Sequence, residues 1–161
     1  MASNPPVIKQ VAWISLIPQI AFILFLIAVY NQFGIKDSGL YGALTYLFLS
    51  MSLRYFIPKN HREGMKLTKN NQFEKAISEY ENSYAFFTKN SWIDKYRFIT
   101  LLSSSKMNYR EIALCNIAFC YSQIGNETKA IAFYKKTLEE FPENEIAESG
   151  LKMLNSTIVN K

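Results

Sequence analysis

The chain opens with two long apolar runs and then changes to a rhythm of apolar residues three and four places apart. Between residues 10 and 35 no side chain up to Ile35 is charged, and "VAWISLIPQIAFILFLIAVY" is apolar except at Ser15 and Gln19, with Pro18 between them. About 20 apolar residues cross a hydrocarbon core roughly 30 Å thick, so this run is long enough to span a bilayer. A cleavable signal peptide is the alternative, but the basic flank holds only Lys9, the run is too long and no A-x-A-like site follows it. The second run, "LYGALTYLFLSMSLRYFI" over residues 40–57, carries one charge, Arg54. It sits at the short limit for spanning and reads either as a short span whose Arg54 snorkels to the headgroups or as a buried core helix. The intervening "NQFGIKDSG" reads as a tight turn. The pattern predicts a two-helix transmembrane hairpin within residues 1–57, with spans at about 10–30 and 40–57.

Charge orients this hairpin. Arg54, Lys59, Arg62, Lys66 and Lys69 follow the second run, Lys9 and the free amine precede the first, and the turn offers Lys36 beside Asp37. The positive-inside rule then puts both termini in the cytoplasm and the turn outside. A bacterial inner membrane is expected in preference to an organellar one. Most of the net charge of +5 lies at this boundary, because from residue 70 onward eleven basic and eleven acidic side chains balance. No basic stripe is left for a nucleic-acid partner.

The remainder, residues 58–161, matches itself. "FEKAISEY" (73–80) and "ETKAIAFY" (127–134) share Lys-Ala-Ile and a following Tyr at an offset of 54 residues. Gly64 lies twelve before Ala76, and Ala118 twelve before Ala130. Two small residues at that separation suit a tight antiparallel helix pair, since each lets the facing backbone approach. In the second copy a helix over about residues 109–124 presents Ile112, Leu114, Ile117, Ala118 and Tyr121 on its apolar spacing. Gly125 ends it, Asn126 is an N-cap candidate, and Pro142 stops the next helix near Phe141.

These residues resemble the tetratricopeptide repeat, a helix-turn-helix unit of about 34 residues. Ala118, Tyr121, Gly125, Ala130, Tyr134 and Pro142 fall in its register, with Thr137 where a second alanine is usual. In the first copy Gly64, Ala76 and Tyr80 agree, Leu67 and Ser83 depart, and Asn71 replaces the turn glycine, being one of the few residues that tolerate a left-handed turn. The resemblance implies repeats at about 58–90 and 111–144, and a terminal helix at about 144–156, capped by Asn144, that covers the last apolar face. "NSTIVNK" reads as a frayed tail.

An offset of 54 instead of about 34 leaves roughly 20 residues over. Ser91-Trp92-Ile93-Asp94 has capping-box spacing, and Trp92, Tyr96 and Ile99 share one face, so an extra helix is predicted at about 91–104. It is expected to pack on the repeats, and the alternative is a helix lying on the bilayer surface beside Lys95 and Arg97.

Signals for catalysis are sparse. His61 is the one histidine, near Lys59 and Arg62 at the membrane boundary, in a setting that reads as basic and solvated. Cys115 and Cys120 read as small buried apolar residues, Glu139 and Glu140 as a solvated face, and no cluster has metal spacing. No enzyme activity, cofactor or metal is expected. The resemblance implies a groove lined by His61, Met65, Thr68 and Lys69 in the first copy and by Ile112, Cys115, Phe119, Ser122 and Gln123 in the second. Some members of that family clamp a carboxylate; Asn116, Arg62, Lys66 and Lys69 are the available types, and the full set is not matched. The same positions alternatively pack against the extra helix. The expectation is an all-α, membrane-anchored adaptor or scaffold that binds a peptide or helix of another protein. Its rival is an accessory subunit of a membrane enzyme or transporter, in which the hairpin makes the key contacts.

Overall fold

A computed structural model of the protein describes residues 11–159. Lys9, the terminal amine and Gln10, used above for orientation and for the start of the first span, lie outside the described residues. All described elements are helical: a 3-10 turn at Trp13–Ser15, then α1 Leu16–Gln32, α2 Ser38–Phe56, α3 Lys59–Lys69, α4 Phe73–Lys89, α5 Ser91–Lys95, α6 Arg97–Thr100, α7 Tyr109–Gln123, α8 Glu127–Glu140 and α9 Glu145–Val159. The predicted tail is largely helix, since residues 155–159 continue α9.

The chain divides into two compact units. One, the paired-helix unit, comprises Pro58–Ser91 and the chain from Met107 onward. The other, the apolar unit, joins residues 11–57 to Trp92–Lys106. The inserted segment, expected to pack on the repeats, therefore belongs with α1 and α2.

In the paired-helix unit, α3 packs on α4, α4 on α7, α7 on α8 and α8 on α9. Small residues set these approaches. A Cβ on Gly64 would stand 2.8 Å from Cε1 of the Tyr80 ring, and one on Gly150 would stand 2.5 Å from Cζ of Tyr134. Ala76 and Tyr80 are buried with Ile117 and Cys120, while Ala118, Ala130 and Tyr134 are buried with Ala147 and Leu154. The two inter-helix turns use left-handed residues at matched positions, Asn71 at φ 58° and Gly125 at φ 76°. Asn126 caps α8 by accepting from the Lys129 N–H at 3.1 Å, and Asn144 caps α9 by accepting from Ala147 at 2.7 Å. A further cap is a full capping box on α7, Asn108 with Glu111.

In the apolar unit, α1 turns through residues 33–37, with Gly34 at φ 71°, and α2 packs back on it. Gly42 makes that packing close: a Cβ there would meet Ile27 Cγ1 at 2.7 Å and its backbone nitrogen at 3.1 Å. Polar side chains bridge the pair, Tyr30 to Thr45 at 2.8 Å and the Tyr46 hydroxyl to Gln19 at 3.2 Å. The predicted single helix at 91–104 is two short helices with a break at Tyr96. Thr100 donates its hydroxyl to the Ile93 carbonyl at 2.7 Å, and Ser103 N–H turns back to the Arg97 carbonyl, so local side-chain bonds compete with helix continuation. Asp94, read as a capping residue, is buried, and its own carbonyl accepts from Arg97 at 3.1 Å.

Candidate functional site

The groove implied by the family resemblance runs over α3 and α7. Those two helices do not present all of their expected side chains. Met65 and Ile112 are half-buried, Lys69 and Gln123 are exposed, and Thr68, His61, Cys115, Asn116 and Phe119 are buried. From Ala113 to Cys120 eight successive residues of α7 are buried, which leaves more than two turns with no outward face. Direct reach of Cys115, Asn116 and Phe119 to a partner is thus corrected, because α7 is packed by α4 on one side and α8 on another. "LCNIAFC" is apolar nearly all round, the pattern of a buried helix, and that was the available signal.

His61 also departs from its solvated reading. It is 8 % exposed, edge-on to the rings of Tyr80 at 5.6 Å and Tyr109 at 5.3 Å, and Tyr109 stacks on Phe87 at 4.6 Å. Burial pushes its pKa down to about 4, so the imidazole is neutral at physiological pH. Burial likewise pushes the Cys115 thiol up to about 12, assisted by the Glu111 charge, and the Cys120 thiol up to about 11. Neither forms the thiolate that nucleophilic chemistry requires near neutrality. The Tyr80 hydroxyl is raised by burial and hydrogen-bonds Thr68 at 3.1 Å.

Two polar networks escaped the one-helix reading. Glu140, read as part of a solvated face, pairs with Arg110 and accepts from the Tyr84 hydroxyl, so it ties α8 to α7 and α4. Glu111 receives the Asn144 side-chain amide at 2.8 Å and so joins the start of α7 to the start of α9. Both serve packing. Among the described residues no three His, Cys, Asp or Glu side chains are grouped as a metal would need.

Residues 11–57 of the apolar unit invert the usual distribution of side chains, burying Ser15, Gln19 and Ser50 while Trp13, Leu24, Phe25, Phe48, Met51 and Phe56 are exposed. The inserted segment buries Asp94, Arg97 and Ser103 together with Leu101 and Leu102. The stretch Trp13–Gln32 is long and apolar enough to cross a membrane, and 11 % of its apolar 18-residue window is buried inside the protein, where a soluble core helix would be mostly buried. Ser38–Phe56 does not meet that standard alone. Arg54, expected to snorkel, instead donates to the carbonyls of Leu101, at 3.4 Å, and Leu102.

No protein-family model, no curated protein and no solved structure matches this chain.

Proposed function

We propose that the protein is a membrane-anchored interaction module. In this reading α1 and α2 form a transmembrane hairpin, and the paired-helix unit is a short tetratricopeptide-type array facing the cytoplasm as an adaptor or assembly scaffold. The observation that carries it is the inversion over residues 11–57, where serine and glutamine lie inside and isoleucine, leucine and phenylalanine lie outside. That distribution suits a hydrocarbon solvent and is costly in water. The array reading is supported by the matched turns at Asn71 and Gly125 and by the glycine-to-tyrosine approaches at Gly64 and Gly150. Anchoring confines the module to two dimensions and raises its effective concentration toward other membrane proteins, so a shallow surface suffices. The groove candidates that are not buried are Met65, Lys69, Ile112, Ser122 and Gln123.

A second reading has an observation of its own. With His61, Cys115, Asn116 and Phe119 occluded, the hairpin's exposed Phe48 and Met51 are the larger apolar surface, which favours an accessory subunit held to a membrane complex through the hairpin. Crosslinking in the native membrane, followed by detergent pulldown, separates the two. Substituting Met65, Lys69, Ile112 and Gln123 together should abolish partner recovery under the adaptor reading. Full recovery by that variant, with loss in a Phe48 and Met51 variant, would overturn it in favour of the subunit.

A further inference from the structure

We propose that the inserted segment Trp92–Lys106 is a lipid-contacting element seated at the headgroup boundary of the bilayer, at the end of the hairpin where α1 begins and α2 ends. The proposal rests on reading α1 as a membrane span.

Position comes first. The segment is fastened to both ends of the hairpin: the Ala12 N–H, just before α1, donates to the Ser104 carbonyl at 2.9 Å, and Arg54, in the last turn of α2, donates to the Leu101 and Leu102 carbonyls. Those hairpin ends carry exposed aromatic rings, Trp13 before α1 and Tyr55 and Phe56 at the end of α2. The insertion adds Trp92, Tyr96 and Ile99, each more than half exposed. Aromatic rings gathered at one end of a spanning pair form the belt that settles at headgroup level, and Lys95 beside Tyr96 supplies a cation for anionic lipid.

Backbone chemistry points the same way. Irregular chain tolerates a low-dielectric setting only when its polar groups are satisfied from within. Arg97, almost fully buried, donates to the carbonyls of Asp94, Ser105 and Lys106. With Arg54 and Ala12, it closes the carbonyls of 101, 102, 104, 105 and 106. Leu102 holds φ at 48°, a conformation that leucine adopts only where its surroundings impose it. A loop facing water would need neither two arginines on its carbonyls nor a row of aromatic rings on its outer side. A buried protein interface would demand the same closure, so it is the gathering of Trp13, Tyr55, Phe56, Trp92 and Tyr96 at one end of a spanning pair that favours lipid as the occupant.

The chain holds two tryptophans, Trp13 and Trp92, both exposed, so Trp13→Phe and Trp92→Phe each leave one reporter without disturbing a core. The full chain is reconstituted in phosphatidylcholine and phosphatidylglycerol vesicles containing lipids brominated near the headgroup or deep in the acyl chain. In Trp13→Phe, shallow bromines should remove roughly half of the Trp92 emission and deep bromines less, as for a ring at the interface. Unquenched Trp92 emission at a water-exposed wavelength, with Trp13 quenched in Trp92→Phe, overturns this inference and leaves the anchor standing. If neither tryptophan is quenched, the anchor reading falls with it. Stronger quenching of Trp92 by deep than by shallow bromines overturns the interfacial seat.

Discussion

Tyr80 on α4 and Phe48 on α2 are aromatic side chains on helices of similar length, and the protein treats them oppositely. Tyr80 is 0 % exposed, wedged over Gly64 and bonded to Thr68; Phe48 is 74 % exposed. The contrast extends through the two units. One buries Phe87, Leu114 and Tyr134 beneath a charged surface, while the other buries Ser15, Gln19 and Arg97 beneath an apolar one. The same hydrophobic residue types build a core in one and a skin in the other. On the membrane-anchored reading proposed above, what differs is the solvent each unit is built for, and that decides what a substitution will do.

The largest contrast should come from removing the rings. Tyr80→Ala should cost about 3–5 kcal/mol, because it empties the fully buried crossing of α3 on α4. Phe48→Ala should change stability in detergent by less than about 0.5 kcal/mol, as for an exposed position. Denaturant titration of both variants in the same detergent measures the pair. Equal costs would erase the distinction between core and skin.

Acid should act on the paired-helix unit through His61. The His61 pKa is lowered in the folded state to about 4 from an unfolded value near 6.5, so the unfolded chain binds the proton first. The stability contributed by neutral, buried His61 is fully present above pH 6.5 and is lost progressively as pH falls toward 4, by on the order of 3 kcal/mol. His61→Phe should flatten that slope, followed by thermal unfolding at stepped pH. An unchanged slope would mean that His61 is solvated after all.

Close approach at glycine is common to both units and should respond alike. Gly42→Val pushes against the Ile27 backbone, and Gly150→Val against the Tyr134 ring, each at about 1–3 kcal/mol. The rigid neighbour at Gly42 should put it at the upper end. Smaller costs than these lie in the caps: Asn126→Ala should cost about 1 kcal/mol, read as a lowered unfolding midpoint, and Asn144→Ala somewhat more, since it also releases Glu111.

Much of the paired-helix unit was legible because its determinants are local. The offset between the Lys-Ala-Ile segments, the turn residues Asn71 and Gly125, and the caps Asn126 and Asn144 act within a few residues of themselves. Partners across the fold were not legible. Arg54 reaches carbonyls some 47 residues away, Glu140 reaches Arg110 on another helix, and His61 owes its burial to Tyr80 and Tyr109. The break at Tyr96 was hidden for the same reason, since Arg97 turns inward to a loop that follows it. On α7, Cys115, Asn116 and Phe119 are buried because repeat register assigns positions to a face, whereas burial depends on which neighbours arrive. Gly150 was passed over as a helix residue when its role is to admit Tyr134.

The central claim, that α1 and α2 lie in hydrocarbon while the paired-helix unit lies in water, is tested most directly by thiol accessibility in sealed proteoliposomes. Cys115 and Cys120 are buried with raised pKa values and give little background. A membrane-impermeant maleimide should label Ser78→Cys readily from one side and leave Phe48→Cys unlabelled until the bilayer is dissolved. Labelling of Phe48→Cys in the intact bilayer as fast as Ser78→Cys would contradict the account.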